Sequence, residues 1–377
     1  MKLIKERLME KEVLSMIGHV KDTPRVLMKT YQIRQEFMTD FVNAFMQHDF
    51  KKIYFLGSGT SNHVSIVIKN MFVKLLHIEG VAIPPTHFKN HTDPNPAGVF
   101  KKEEIAVICF SQHGDSISTC EAARKAKEDG YYTIGVTEQL NSVLETLTDC
   151  YCHLVCEEEE IGPETRGYTQ TIFQFYILAI EIAKRKGYIS IEEYKKLDQD
   201  AYELAENFDS VVEESIAWYQ KNREEFLQMD KSSIAGYGYN WATALEARLK
   251  FFETYSRPCT GYEFEEQMHG PFRAYVDKNV YFFLIISEGE AEKKRALDAI
   301  PYYKDAFSSH VFVVTGEKDF PTTEKDLKFT YTTTDILSPM VYIVPFQVLA
   351  ARICEDVGID TKVSPVKKKY FSSHYLP

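Results

Sequence analysis

The sequence is short of positive charge, with 44 Lys and Arg against 55 Asp and Glu and a formal net charge of −11. A field of that sign repels nucleic acid and anionic membranes, so neither is expected as a partner. It leaves room for a local phosphate site, because helix N-termini and loop amides bind anions without a net positive field. No run approaches the roughly 18 apolar residues of a membrane span. The opening MKLIKERLMEKEVL interleaves charges with apolar residues where a signal peptide would have an apolar core. Seven cysteines, an odd number without an export signal, predict free thiols and a cytoplasmic protein. Cys150, Cys152, His153 and Cys156 lie close together, but CYCHLV alternates as a strand does. No second cysteine pair completes a zinc set, and no metal is expected. The run GSGTSN at 57–62 lacks the last glycine of a dinucleotide fingerprint, and no Gly-Lys-Ser/Thr loop is present for ATP. No cofactor is therefore predicted.

What is present is an ordinary globular composition, 44% hydrophobic and 26% charged over 377 residues, enough for two domains. Residues 1–50 read as a helical extension, with one helix over Ile4 to Met16 and a second pattern after Pro24 through Val26, Met28, Ile33, Phe37, Phe41 and Phe45. From 51 to 190, strands at 51–56, 80–84, 104–110, 131–136 and 150–155 alternate with helical stretches. That is the pattern of a parallel, doubly wound α/β sheet. A helical connection at 191–230 leads to a second domain, 231–377, where the order recurs with strands at 232–235, 258–262, 279–287, 310–315 and 327–333 and a last helix over Tyr342–Val357. The expected architecture is two tandem flavodoxin-like domains behind an N-terminal helical extension.

Parallel sheets bind ligands beyond the carboxyl ends of their strands. In the first domain those places hold Ser58, Thr60 and Ser61 in one loop and Ser111, Gln112, His113 and Ser116 in the other. Short, glycine-bearing loops with hydroxyls and amides suit an oxyanion held by neutral donors. Each loop taken alone also reads as turn and cap chemistry. The corresponding loops of the second domain, GYGYN and ISEGEA, lack the hydroxyl cluster, which places the anion in the first.

The densest chemical signal lies in 232–272. Asn240 is placed to cap a helix over 241–255 in which Leu245, Leu249 and Phe252 form an apolar stripe expected to face the core. Glu246, Lys250 and Glu253 share another face; by itself this stripe also reads as a solvated ion-pair ladder. Downstream, GYEFEEQMHGP puts His269 between an acidic run and a Gly-Pro turn, where a loop side chain reaches a cleft.

The series ALE, K, E and HGP, with the two hydroxyl-rich loops, closely resembles the sugar isomerase (SIS) domain family, best known from the isomerase half of glucosamine-6-phosphate synthase. The resemblance implies tandem SIS domains, a phosphosugar cradle made by Ser58, Thr60, Ser61, Ser111, Gln112, His113 and Ser116, and no cofactor. It implies Glu253 as general base, His269 as its partner at the sugar ring, and Glu246 and Lys250 in support. It also implies a homodimer or higher homo-oligomer whose subunits share active sites. His113 stands where the family has a second serine, removing one hydroxyl and adding a titratable group. Glu160-Ile161-Gly162-Pro163-Glu164-Thr165-Arg166 loosely echoes a third family segment, one residue short. The synthase's glutaminase uses an N-terminal cysteine, whereas the first cysteine here is Cys109, so glutamine is not expected as the ammonia source. Lys367, Lys368 and Lys369 fall where the synthase tail has a sugar-engaging lysine, though a basic surface tail fits them as well. The implied chemistry is deglycation or deamination of a fructosamine or amino-sugar 6-phosphate, with aldose–ketose isomerisation or phosphosugar sensing as alternatives.

Overall fold

The computed structural model describes residues 15–276, 278–287, 289–363 and 373. The first sheet comprises β1 (Lys52–Leu56), β2 (Glu79–Ile83), β3 (Ile105–Phe110), β4 (Tyr132–Thr137) and β5 (Cys150–His153), all parallel, in the order β2-β1-β3-β4-β5. The second comprises β6 (Ser232–Gly236), β7 (Cys259–Glu263), β8 (Tyr281–Ile286), β9 (Val311–Thr315) and β10 (Leu327–Lys328), again parallel, in the order β10-β9-β8-β6-β7. Renumbered within each sheet the two orders are the same, so the tandem doubly wound architecture stands. The central strands explain themselves: every residue of β3 (IAVICF) and of β8 (YFFLII) is buried, as a strand covered by helices on both faces requires.

The chain divides into two compact units. One contains the first sheet and spans Arg25–Glu158, Arg166–Ala205 and Ser364–Pro377. The other contains the second sheet and spans Met1–Pro24, Glu159–Thr165 and Glu206–Val363.

Helix α1 (Met16–Gln32) runs through Pro24, where the sequence suggested a break between two helices, and α2 (Arg34–Gln47) follows. Next to the proline, the Thr23 hydroxyl donates to the His19 carbonyl at 3.0 Å, a side-chain bond back onto the preceding turn. The part of the expected helix at residues 4–14 lies outside the described residues, as do Lys367, Lys368 and Lys369. Strand β10 is also shorter than expected. Phe329 N–H still reaches the Thr315 carbonyl at 2.9 Å, and the Thr330 N–H is taken by the Glu214 carboxylate at 3.1 Å.

Glycines set the junction after the first strand of each sheet. A Cβ on Gly57 would sit 2.5 Å from the Ser61 carbonyl oxygen, and one on Gly236 would sit 2.4 Å from the Asn240 carbonyl oxygen. Only glycine lets the helix start this close to the strand end. The repeat thus aligns Gly57 with Gly236.

Candidate functional site

In the first-sheet unit, α3 (Thr60–Leu76) follows β1 and α5 (Ile117–Glu128) follows β3, so both hydroxyl-bearing loops open onto helix N-termini at the point where strand order reverses. Ser58 is exposed, and its hydroxyl lies 3.3 Å from that of Ser118, linking the two loops. Thr60 is buried and Ser61 half-buried, the latter's carbonyl accepting from the Ser65 hydroxyl at 2.7 Å. Ser111 is buried; its hydroxyl accepts from Ser116 N–H at 3.4 Å and its carbonyl from Gly114 N–H at 2.9 Å. Gln112 is buried, with its carbonyl accepting from Thr137 Oγ1 at 2.8 Å and Glu138 N–H at 2.9 Å. Ser116 precedes α5, and its hydroxyl accepts from Thr119 Oγ1 at 3.3 Å.

His113 is exposed at the loop tip. Burial pushes the Glu138 carboxyl up, the Glu158 charge adds to that shift, and His113 and Arg166 oppose it. The structure therefore places Ser58, Ser111, Gln112, His113 and Ser116 on the two loops at the carboxyl edge of the sheet, whereas Thr60 and Ser61, expected in the loop, form the first turn of α3 because Gly57 lets the helix start close to the strand end. It adds one contact the sequence did not suggest: the Ile117 N–H, at the start of α5, donates to the Ser373 carbonyl at 3.0 Å.

In the second-sheet unit, α9 (Asn240–Glu253) packs against β6 and β7. The stripe expected to face the core does not: Phe252 is 48% and Trp241 40% exposed, and Leu245 and Leu249 are only partly buried. Ala242, Ala244, Glu246, Ala247, Lys250 and Phe251 are buried instead. Small residues win because the approach is close, since a Cβ on Gly261 of β7 would meet the Ala244 carbonyl oxygen at 2.5 Å. Nor does Asn240 cap the helix from outside. It is the first helical residue, with Nδ2 donating to Ser338 Oγ at 2.8 Å and Oδ1 accepting from Thr243 Oγ1 at 2.9 Å.

The ionic stripe is consequently an interior feature. Lys250 Nζ lies 3.2 Å from Glu246 Oε1 and 2.8 Å from Glu253 Oε2; Lys250 and Glu246 have fully buried side chains, while that of Glu253 is 35% exposed. Burial opposes charge on Lys250, but the carboxylates of Glu246 and Glu253 outweigh it and hold the ammonium above its ordinary pKa.

A third carboxyl joins this group. Glu164, half-buried, has its pKa pushed up to about 8, chiefly by burial, with Lys250 opposing and the charges of Glu159, Glu246 and Glu253 adding. Its neighbour Thr165 anchors the segment. Thr165 N–H and Oγ1 donate to the buried Glu159 carboxylate at 3.0 and 2.7 Å, and its carbonyl accepts from Gln347 Nε2 at 2.9 Å. Sequence reasoning noticed the segment but assigned Glu164 no role, because periodicity carries no information about a neighbour some eighty positions away.

His269 is exposed, with Nδ1 2.7 Å from the Glu265 carbonyl oxygen. Among the described residues no hydrogen bond or ion pair joins His269 to Glu253. An apolar cavity of about 440 Å³, lined by residues including Phe252, Arg257, Cys259 and Tyr275, opens at the amino ends of β6, β7 and β8. That is the edge opposite the one where parallel sheets hold their ligands. Among the described residues no group of three His, Cys, Asp or Glu side chains could hold a metal ion, and no helix is long and apolar enough to cross a membrane.

Comparison with known proteins places this geometry in context. Residues 48–181 match the model of the SIS domain. The glutamine–fructose-6-phosphate aminotransferase (isomerizing) of Gloeobacter violaceus is 26% identical over 362 residues, covering 93% of this chain and 56% of that enzyme. The chain thus spans about half the length of the curated relatives it matches. A crystal structure from Clostridium difficile 630, provisionally named a phosphosugar isomerase, is 25% identical with a TM-score of 0.84, covering 95% of this chain and 97% of that one. The glucosamine-6-phosphate deaminase of Thermotoga maritima shares the fold at 20% identity and a TM-score of 0.71, over 95% of this chain and 98% of that one.

Proposed function

We propose, from the premise that residues 48–181 are an SIS domain, that the protein is a phosphosugar-metabolising enzyme whose preferred reaction is deglycation or deamination of a fructosamine or amino-sugar 6-phosphate. The observation that carries the reading is the interior triad of Glu246, Lys250 and Glu253. A lysine with no exposed surface, paired to two carboxylates, is an expensive arrangement for a helix that needs only to pack. It leaves Glu253 partly open to solvent, positioned by Lys250 on one side. The phosphate falls to Ser58, Thr60, Ser61, Ser111, Gln112, His113 and Ser116, whose loops end on helix N-termini and carry neutral donors.

For an open-chain fructosamine, the Glu253 carboxylate takes a proton from C1 as the C2 oxygen gains one from solvent, giving the enaminol; it then returns its proton to C2 while the amine nitrogen releases one to solvent. C1 is oxidised to the imine level as C2 is reduced from carbonyl to alcohol, so no external oxidant enters. Water then hydrolyses the C1 imine to a sugar 6-phosphate aldehyde and the free amine. His269 assists ring opening by moving the proton between the anomeric hydroxyl and the ring oxygen. The same proton transfer without hydrolysis is aldose–ketose isomerisation.

The exposed His269, Trp241 and Phe252 support a homo-oligomer in which subunits share sites, and the thiols, none of them in a disulfide, support a cytoplasmic setting.

Glu253→Gln keeps the side chain's size and removes the base. Turnover of a fructosamine 6-phosphate panel, followed by mass spectrometry, should fall by at least about 10²-fold. Phosphosugar affinity should stay within about tenfold, or about 1.4 kcal/mol. Turnover in D₂O should place deuterium at C2 of the sugar product. Full activity in Glu253→Gln, or wild-type protein that binds these phosphosugars and turns over none, refutes the reading, and the latter result identifies a sensor.

A further inference from the structure

The turn bearing His269 rests on a buried polar chain that the proposed chemistry has not used. Gln267, 1% exposed, is the last residue of the short helix α10 (Phe264–Gln267) and lies two positions before His269. Its Nε2 donates to Ser233 Oγ on β6 at 2.6 Å, and its Oε1 accepts from the Tyr303 hydroxyl at 2.5 Å. Ser233 Oγ in turn lies 2.7 Å from Thr260 Oγ1 on β7 and 3.0 Å from the Tyr275 hydroxyl. Ser233, Tyr303 and Tyr275 are all buried. A primary amide bonded at both ends inside a core holds its stretch of chain in place, since losing either bond would strand a buried polar group.

The other side of the turn is held as well. Glu263 caps α10, its carboxylate accepting from Glu265 N–H at 2.8 Å and Glu266 N–H at 3.0 Å, and the Glu265 carboxylate pairs with Arg295 at 2.6 Å. Between these anchors, His269 Nδ1 meets the Glu265 carbonyl oxygen at 2.7 Å. A carbonyl oxygen only accepts, so Nδ1 carries the proton, and in the neutral ring Nε2 keeps its lone pair.

We propose that Gln267 is a positioning residue for His269. Clamped between Tyr303 and Ser233, it sets the turn so that the Glu265 carbonyl selects the Nδ1–H tautomer and presents Nε2 as the proton acceptor. The use of that acceptor in sugar chemistry rests on the function proposed above; the tautomer and its dependence on Gln267 do not.

The test is long-range ¹H–¹⁵N spectroscopy of the full-length protein, with the His269 signals assigned by their loss in His269→Asn, compared with Gln267→Leu and Tyr303→Phe. The wild type should show His269 protonated at Nδ1, and Gln267→Leu should show a mixture of tautomers. Tyr303→Phe removes one hydrogen bond without opening a large cavity, and it should show a smaller change of the same sign if Gln267→Leu folds poorly. Wild-type His269 protonated at Nε2, or a tautomer unmoved in both variants, overturns the proposal.

A kinetic arm on a fructosamine 6-phosphate separates positioning from general stability. Gln267→Leu should lower kcat by roughly 10²-fold with KM little changed, the order expected of a misplaced group. It should lower kcat no further in a His269→Ala background. An equal loss in both backgrounds overturns positioning. Wild type without turnover, or His269→Ala at full rate, refutes the functional reading alone, and the spectroscopic arm still decides the role of Gln267.

Discussion

Replacing Lys250 by methionine tests the buried triad directly, since it keeps most of the stem's volume and removes only the charge. Lys250 Nζ is 3.2 Å from Glu246 Oε1, and neither side chain has exposed surface. At an effective dielectric of about 20, a pair at that distance attracts by about 5 kcal/mol, most of which is offset by desolvation. Removing one partner strands the other, and an uncompensated buried charge costs about 3–5 kcal/mol. With a urea slope of roughly 2 kcal/mol per M, the unfolding midpoint should fall by about 1.5–2.5 M at pH 8. The double variant Glu246→Gln, Lys250→Met should recover most of that loss, since the one carboxylate it leaves unpaired, Glu253, is 35% exposed and keeps solvent. Lys250 also sets an alkaline limit. Its folded pKa is raised above the ordinary 10.5, so its contribution is complete below that value and disappears as pH climbs through the folded one. A loss below about 1 kcal/mol in Lys250→Met, or a loss that Glu246→Gln does not relieve, would refute the reasoning.

Glu164 gives a slope of the same sign in a lower pH window, because its folded pKa of about 8 stands above the ordinary 4.5. The folded chain retains a proton there that the unfolded chain has released, so wild-type stability should decline as pH rises between these values. Glu164→Gln should flatten that decline in a series of urea midpoints, and an unchanged slope would show that the carboxyl titrates normally. Gly57→Ala and Gly236→Ala push a methyl to 2.5 and 2.4 Å from a backbone oxygen. Each should destabilise by about 1–3 kcal/mol, read from the same midpoints, and a neutral result would show that the junction yields.

Much of this was legible from the chain alone wherever the signal is local. Strand after strand of the first domain lies within a residue or two of its expected place, because buried parallel strands are short apolar runs between turn residues. The shared face of Glu246, Lys250 and Glu253 follows from helical spacing, and the loops at 57–61 and 111–116 follow from their place after a strand. Burial within α9 did not follow. Apolar size argued for Leu249 and Phe252 inside, yet the approach of β7 through Gly261 selects the face with alanines and an ion pair.

Local periodicity, set by backbone geometry at 3.6 or 2 residues, thus determined the two repeated sheets, their loops and the one-sided display of two carboxylates and a lysine. Only the tertiary structure decided that Lys250 has no exposed surface, that Glu164 joins its carboxylates, and that Gln267 holds the His269 turn through Ser233 and Tyr303. Those pairings join residues 34 and 36 positions apart in the case of Gln267. They depend on close packing between elements, which the spacing of residues along one element does not encode.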